Sequence, residues 1–172
     1  MRIIHTSDWH LGQNFYSKSR AAEHDAFLTW LLATAEEQQV DAIIVAGDIF
    51  DTGSPPSYAR ELYNQFVVKL QSTGCHLVVL AGNHDSVATL NESKDILAWL
   101  KTTVVASAGT APFILPLRDG SPGAVFCPVP FLRPRDIVTS QAGLSGQEKQ
   151  QHLLGAITDY YQQQYDAACE MR

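Results

Sequence analysis

Cysteine is scarce in this sequence: Cys75, Cys127 and Cys169 are the only three in 172 residues. They are odd in number, far apart and never in a CxxC pair, which excludes a disulfide framework and a zinc knuckle. Long apolar runs are also missing. The longest aliphatic stretches, 42–46 and 77–81, are five residues each, against the roughly 20 that a membrane helix needs. The N-terminus reads MRIIHTSDWH, with an Asp where a secretory signal would have its apolar core, so a cytoplasmic protein with reduced thiols and no membrane partner is expected. Positive charge is in deficit, with 12 Lys and Arg against 18 Asp and Glu and a net charge of −6. A domain that grips nucleic acid by overall charge is basic, so this balance argues against an electrostatic clamp. It leaves room for an enzyme whose positive charge arrives as metal ions.

What is present is ordinary globular material, 45% apolar and 17% charged, in an amount that suits one domain. Residues 2–6 form a β-rich run. Residues 22–39 carry Phe27, Leu28, Leu31, Leu32 and Ala35 at helical spacing, with Ser19 placed to cap them. Residues 42–46 read as a buried strand. A helix over 57–71 follows Pro55 and Pro56 and stops before Gly74. A buried strand at 77–81 and a helix at 89–100 complete a β-α-β-α-β alternation, the pattern of a parallel sheet covered by helices. After Lys101 the strands shorten to 104–105, 113–117 and 124–129. The turn cluster RDGSPG at 118–123 predicts a hairpin from the last two. A punctuated connection over 132–146, with a short helix at 136–141, leads to a Gln-rich helix at 147–165.

Each of the first three strands runs into a loop rich in acids and histidine: SDWHLG at 7–12, AGDIFD at 46–51 and AGNHD at 81–85. Ligands of parallel α/β sheets sit at the carboxyl ends of the strands, so the loops should converge, with Gly47 and Gly82 allowing the chain to turn. Clustered carboxylates repel unless a cation is present. Carboxylate, imidazole and amide together suit manganese, magnesium, iron or zinc, and a hydrolytic two-metal site is the natural reading. Singly, D-x-H is common, GDxxD can be a solvated turn and NHD an Asx turn. Their order, each at a strand end, is what carries weight.

D-x-H, GDxxD and GNHD in this order resemble the signature of the calcineurin-like metallophosphoesterases. The longer strings HTSDWHLG (5–12), GDIFDTGSPP (47–56), LAGNHDS (80–86) and FLRPRD (131–136) are similar to those of DNA-break-repair nucleases in that superfamily. The resemblance implies an α/β sandwich of β-sheets flanked by helices, of which residues 1–172 are the N-terminal part. It implies two divalent ions, Mn2+ with Mg2+ as the alternative. Asp8 and His10 would hold the first ion, Asp48 would bridge both, and Asn83 would hold the second. His84 would face the scissile phosphate, with Asp85 orienting its ring, and Asp51 would support the ligands from behind; His5, inside the first strand, reads as a hydrogen-bonded core histidine or a support behind the ligands rather than a ligand. A bridging carboxylate keeps two ions about 3.5–4 Å apart, with a shared hydroxide attacking phosphorus in line. The implied activity is a 3′–5′ exonuclease on double strands and an endonuclease on single strands and hairpins, in DNA repair, recombination and replication. It would work as a homodimer with a coiled-coil ATPase subunit, at the nucleoid.

The sequence departs from the family in one respect. Two later Gly-His motifs normally add three histidines, yet after His84 only His152 remains, behind Gln151 in a helical stretch. An unfinished metal shell and no capping domain are therefore expected. Two other readings stay open. One is a different metallophosphoesterase, a phosphatase or nucleotide hydrolase, although Asp51 is followed by Thr52-Gly53 where protein phosphatases carry Arg-Gly. The other is a dimerising, partner-binding fragment with little catalysis.

Further candidates lie outside the three loops. Phe15, Tyr16, Lys18 and Arg20 join aromatics to cations beside the first loop, either as ordinary surface or as a DNA contact, and Arg133 and Arg135 extend that idea. The stripe on the second helix is wider than one face requires, so Leu62, Tyr63 and Phe66, with Leu97 and Leu100 of the third, are candidates for a dimer interface. Trp9 reads as packing that stiffens the first loop, and His24 and His76 as structural.

Overall fold

The computed structural model describes residues 1–139, 143 and 145–171. In chain order the elements are β1 (Ile3–Thr6), β2 (Asn14–Phe15), β3 (Lys18–Ser19), α1 (Ala21–Glu37), β4 (Ala42–Ala46), α2 (Ser57–Leu70), a 3-10 turn (Gln71–Thr73), β5 (His76–Leu80), α3 (Val87–Asn91), α4 (Lys94–Trp99), β6 (Thr102–Val105), β7 (Phe113–Pro116), β8 (Pro122–Phe126), α5 (Pro134–Ile137) and α6 (Gly146–Cys169).

Strands made almost wholly of aliphatic residues must be covered on both faces, and β4 and β5, aliphatic apart from His76, are the central strands of a parallel sheet ordered β1-β4-β5-β6. One face packs on Leu28, Leu31 and Ala35 of α1 and on Tyr63, Phe66, Val67 and Leu70 of α2. The other, through Ile44, Val78, Leu80 and Val105, meets Leu115, Phe113 and Phe126 of the antiparallel β7–β8 hairpin. Burying each such side chain contributes about 1.5–3 kcal/mol. Asp41 ties this hairpin to the sheet by accepting from the backbone N–H of Arg118 at 3.1 Å and of Arg2 at 2.5 Å. The Arg118 guanidinium donates to the Thr73 carbonyl.

Several expectations change. The first strand, β1, is one edge of the sheet and is covered less than β4 and β5, with Ile3 43% exposed. The run at 104–105 extends to four residues and joins the main sheet, Leu77 pairing with Thr102 and Leu80 with Val105. Ser19 belongs to β3 and sits one residue before the cap position, which Arg20 occupies, but its Oγ does accept from a first-turn N–H of α1, Ala21 N, at 3.2 Å. The third helix is two short ones, α3 capped by Ser86 and α4 entered at Ser93. The short helix is Pro134–Ile137 rather than 136–141, and positions 140 and 141 lie outside the described residues. The last helix starts from a Ser145–Glu148 capping box and continues to Cys169.

The proposed dimer residues are largely core. Tyr63, Phe66 and Leu97 are buried at 5%, 1% and 5% exposure, and Leu62 and Leu100 pack half-buried against them. Their stripe is wide because α2 meets α1, the sheet and α4 together. Val68, Ile96 and Trp99 are the exposed apolar residues of α2 and α4. Cys75, Cys127 and Cys169 are free. Among the described residues, no helix is long and apolar enough to cross a membrane.

Candidate metal centre

The loops after β1, β4 and β5 meet at one edge of the sheet because parallel strands end on the same side. The first two run side by side: Asp8 N donates to Gly47 O at 3.1 Å, His10 N to Asp48 O at 2.9 Å and Leu11 N to Ile49 O at 2.9 Å. This pairing holds Asp8, His10 and Asp48 at φ of 56°, 45° and 51°. A left-handed backbone costs a non-glycine residue roughly 1–3 kcal/mol and persists where surrounding structure enforces it. No sequence signal announces this strain, and it falls on three of the four predicted ligands.

The glycines are needed for different reasons. Gly47 turns through φ 99°. Gly82 is needed for proximity, since a Cβ there would lie 2.0 Å from Asp48 Oδ1 and 2.3 Å from Asp48 N.

Asp8 Oδ1 lies 3.8 Å from His10 Nε2. One donor atom each from Asp8, His10 and Asp48 falls within 4.8 Å of the others, and His10, Asp51 and His84 make a second such group. His10 Nδ1 is buried, 3.3 Å from Asp51 Oδ1, yet makes no hydrogen bond among the described residues. A lone nitrogen facing a carboxylate suits a cation, so this donor set fits divalent ions. Asn83 is exposed and shares a cavity of about 310 Å³ with Asp8, Asp48 and Gly82.

Asp51 does more than its expected supporting part. Its carboxylate faces His10, and its carbonyl lies 2.9 Å from His84 Nδ1. The His84 N–H donates to Asp48 Oδ1 at 3.0 Å, and the His84 ring stands edge-on to His10 with centroids 5.0 Å apart. The Asp51 carbonyl, then the nearby Asp48, Asp51 and Asp85 charges, push the His84 pKa upward against partial desolvation.

Asp85 does not orient the His84 ring. It is 4% exposed, and its carboxylate accepts from Gly82 N at 2.8 Å, Phe50 N at 3.0 Å and Ile49 N at 3.2 Å. It therefore staples the second loop to the third. Burial outweighs these donors and raises its pKa. His5 is likewise not behind the ligands: it is exposed on the edge strand β1. Trp9 packs edge-on to Phe66 and Phe27 and donates to Thr6 Oγ1 at 3.1 Å. His24 is buried, and burial, reinforced by Arg20, lowers its pKa.

Phe15, Tyr16 and Lys18 form an exposed hairpin, β2–β3, turned by Tyr16 and Ser17 at φ 46° and 61°. A two-residue turn with both φ positive normally carries Asn or Gly, which is why this stretch read as a loop. Arg20 is turned elsewhere. Its Nη1 donates to Gln13 Oε1 at 2.7 Å, and Gln13 Nε2 lies 3.4 Å from Asp51 Oδ1. Arg133 is half-buried and bonded to the third loop through the carbonyls of Gly82 and Asp85. Arg135 is exposed beside Asp136. The contact of Gln13 with Asp51, and the bonds of Arg133 to the third loop in place of the expected DNA contact, could not be read from sequence, because the partners are 38 and 48–51 positions away.

The chain matches the family model of calcineurin-like phosphoesterase over residues 1–161. It is 81% identical over all 172 residues to SbcD of Escherichia coli K12, a component of the nuclease SbcCD, covering 43% of that protein. SbcD of Rhodobacter capsulatus is 37% identical over 148 residues, 80% of this chain and 36% of the relative. SbcD of Bacillus subtilis is 40% identical over 97 residues, 56% of this chain and 25% of the relative. The chain thus spans less than half the length of these relatives. A match over nearly its whole length, on the loops that converge here, places the chain in the calcineurin-like phosphoesterase family.

Proposed function

We propose that this chain carries the metal-binding loops of a DNA nuclease that works with an SbcC-type coiled-coil ATPase. The carrying observation is the convergence of Asp8, His10 and Asp48 on a strained, mutually paired backbone beside Asn83. The relatives, named as the SbcD component of the nuclease SbcCD, support the substrate class and the partner. Asp8, His10, Asp48 and Asn83 hold two divalent ions, Mn2+ by preference. Bound ions supply Lewis acidity and an activated water at the phosphodiester. The Asp51 carbonyl can only accept, so His84 Nδ1 carries a proton and Nε2 is left to face the substrate. When doubly protonated, the ring can give the leaving oxygen a proton from Nε2. The proposed activity is exonucleolytic on duplex ends and endonucleolytic on single strands and hairpins, with Phe15, Tyr16 and Lys18 on the DNA side. Homodimerisation through the outer faces of α2 and α4 completes the proposal.

The test uses the full-length protein with Mn2+, a duplex end and a phosphopeptide. Asp48→Ala should lose both ions, whereas His84→Gln should keep them and lose turnover. Hydrolysis of the phosphopeptide with the duplex untouched would overturn the nuclease reading in favour of a phosphatase.

A further inference from the structure

The loop carrying Asn83 and His84 is held from two sides. On the inner side the Asp85 carboxylate takes three backbone N–H groups. On the outer side lies the segment 129–133, which runs past Asp8, Asp48 and Asn83 and lines their cavity with Val129, Pro130 and Phe131. Phe131 N donates to Ala81 O at 2.8 Å. Two residues on, a single nitrogen of Arg133, Nη2, donates to Gly82 O at 3.1 Å and to Asp85 O at 2.7 Å. These two carbonyls bracket Asn83 and His84.

We propose that Arg133 is a positioning residue for Asn83 and His84, closing the third loop by bridging its two ends. The inference rests on the metal-centre reading above. Stability alone is a poor reason for this arginine. Its other terminal nitrogen, Nη1, is buried with no partner among the described residues, so part of its desolvation goes uncompensated. Geometry is a better reason. The guanidinium lies 5.8 Å from the centroid of the Phe131 ring, within cation–π range, and the two N–H bonds of Nη2 lie in the guanidinium plane at a set angle, which the rotating ammonium of a lysine does not reproduce. Without the bridge, Gly82 and Asp85 keep only their inner fastening. Asn83 then loses its fixed distance to Asp48, and the His84 ring its approach to the phosphate.

The test is Mn2+ titration, followed by electron paramagnetic resonance, of the full-length wild type, Arg133→Met and Arg133→Lys, with the melting midpoint of each. The wild type should bind two ions. Arg133→Met should keep the ion at Asp8 and His10 and weaken the other about 10–100-fold, the range for losing a group that orients a ligand. Arg133→Lys should weaken the same ion by less, and it carries the test alone if the methionine variant does not fold. Wild-type affinity for both ions in both variants would overturn the proposal. So would equal weakening of the two ions in step with the melting midpoint, since that marks a general packing role. A wild type that binds no Mn2+ would instead overturn the metal-centre reading itself, without reference to either variant.

Discussion

Gly82 faces Asp48 so closely that a methyl group on it would sit 2.0 Å from the Asp48 carboxylate and 2.3 Å from the Asp48 backbone nitrogen. The obstacle includes backbone, so side-chain rotation cannot relieve it. Gly82→Ala should therefore separate the second and third loops and weaken Mn2+ binding to the full-length protein by at least about tenfold. Metal content after gel filtration checks this, and full retention of Mn2+ would count against a shared centre.

Lys18 and Arg20 should now behave differently, although they lie two positions apart. Lys18 is exposed on the β2–β3 hairpin, whereas Arg20 donates to Gln13, which reaches Asp51. Lys18→Ala should reduce the slope of log affinity against log salt for DNA by about 1. Arg20→Ala should leave most of that slope and loosen Mn2+ instead. Salt-dependent DNA titrations alongside metal titrations separate the two effects.

Asp41 gives the fold a limited acid sensitivity. The backbone N–H of Arg2, then that of Arg118, lowers its pKa from 3.8. A depressed carboxylate pKa contributes stability that is present above the unfolded value and lost as pH falls through the folded one. Asp41 is well solvated, so the effect is small. Thermal melts should show wild type losing stability below about pH 4 more steeply than Asp41→Asn. Parallel acid limbs would remove Asp41 from the account.

Phe66 and Trp99 test the dimer in opposite ways. Phe66 is 1% exposed and Trp99 90%. Phe66→Asp should destabilise the fold by at least about 3–5 kcal/mol, the range for emptying a buried Phe site. It therefore reports on the core, not on an interface. Ile96→Asp with Trp99→Ser should change stability little, since both sites are exposed, and should shift the full-length protein toward monomer in sedimentation. An unchanged dimer would place the interface elsewhere.

The ligand loops were legible because each is local. A short aliphatic run followed at once by D-x-H, GDxxD or GNHD needs nothing distant to be recognised, and strand periodicity put all three at the same end of a parallel sheet. The helix over 57–70 and the hairpin at 113–126 were legible in the same way, through Pro55, Pro56, Gly74 and the RDGSPG turn. What failed was whatever depends on what lies opposite. Phe66 and Leu97 looked like surplus apolar surface and are core, and Asp85 looked like a partner for His84 and is a backbone staple. The same holds for Arg20 and Arg133, which looked like phosphate contacts and are bonded to Gln13 and to two carbonyls. Sequence alone determined which residue types the centre contains and their order along the chain, since strand and loop identity follow from neighbouring residues. Only the tertiary structure decided the left-handed backbone at Asp8, His10 and Asp48, the close approach of Gly82 and the reach of Arg133. Those depend on hydrogen bonds and steric limits between segments far apart in the chain, which no local pattern encodes.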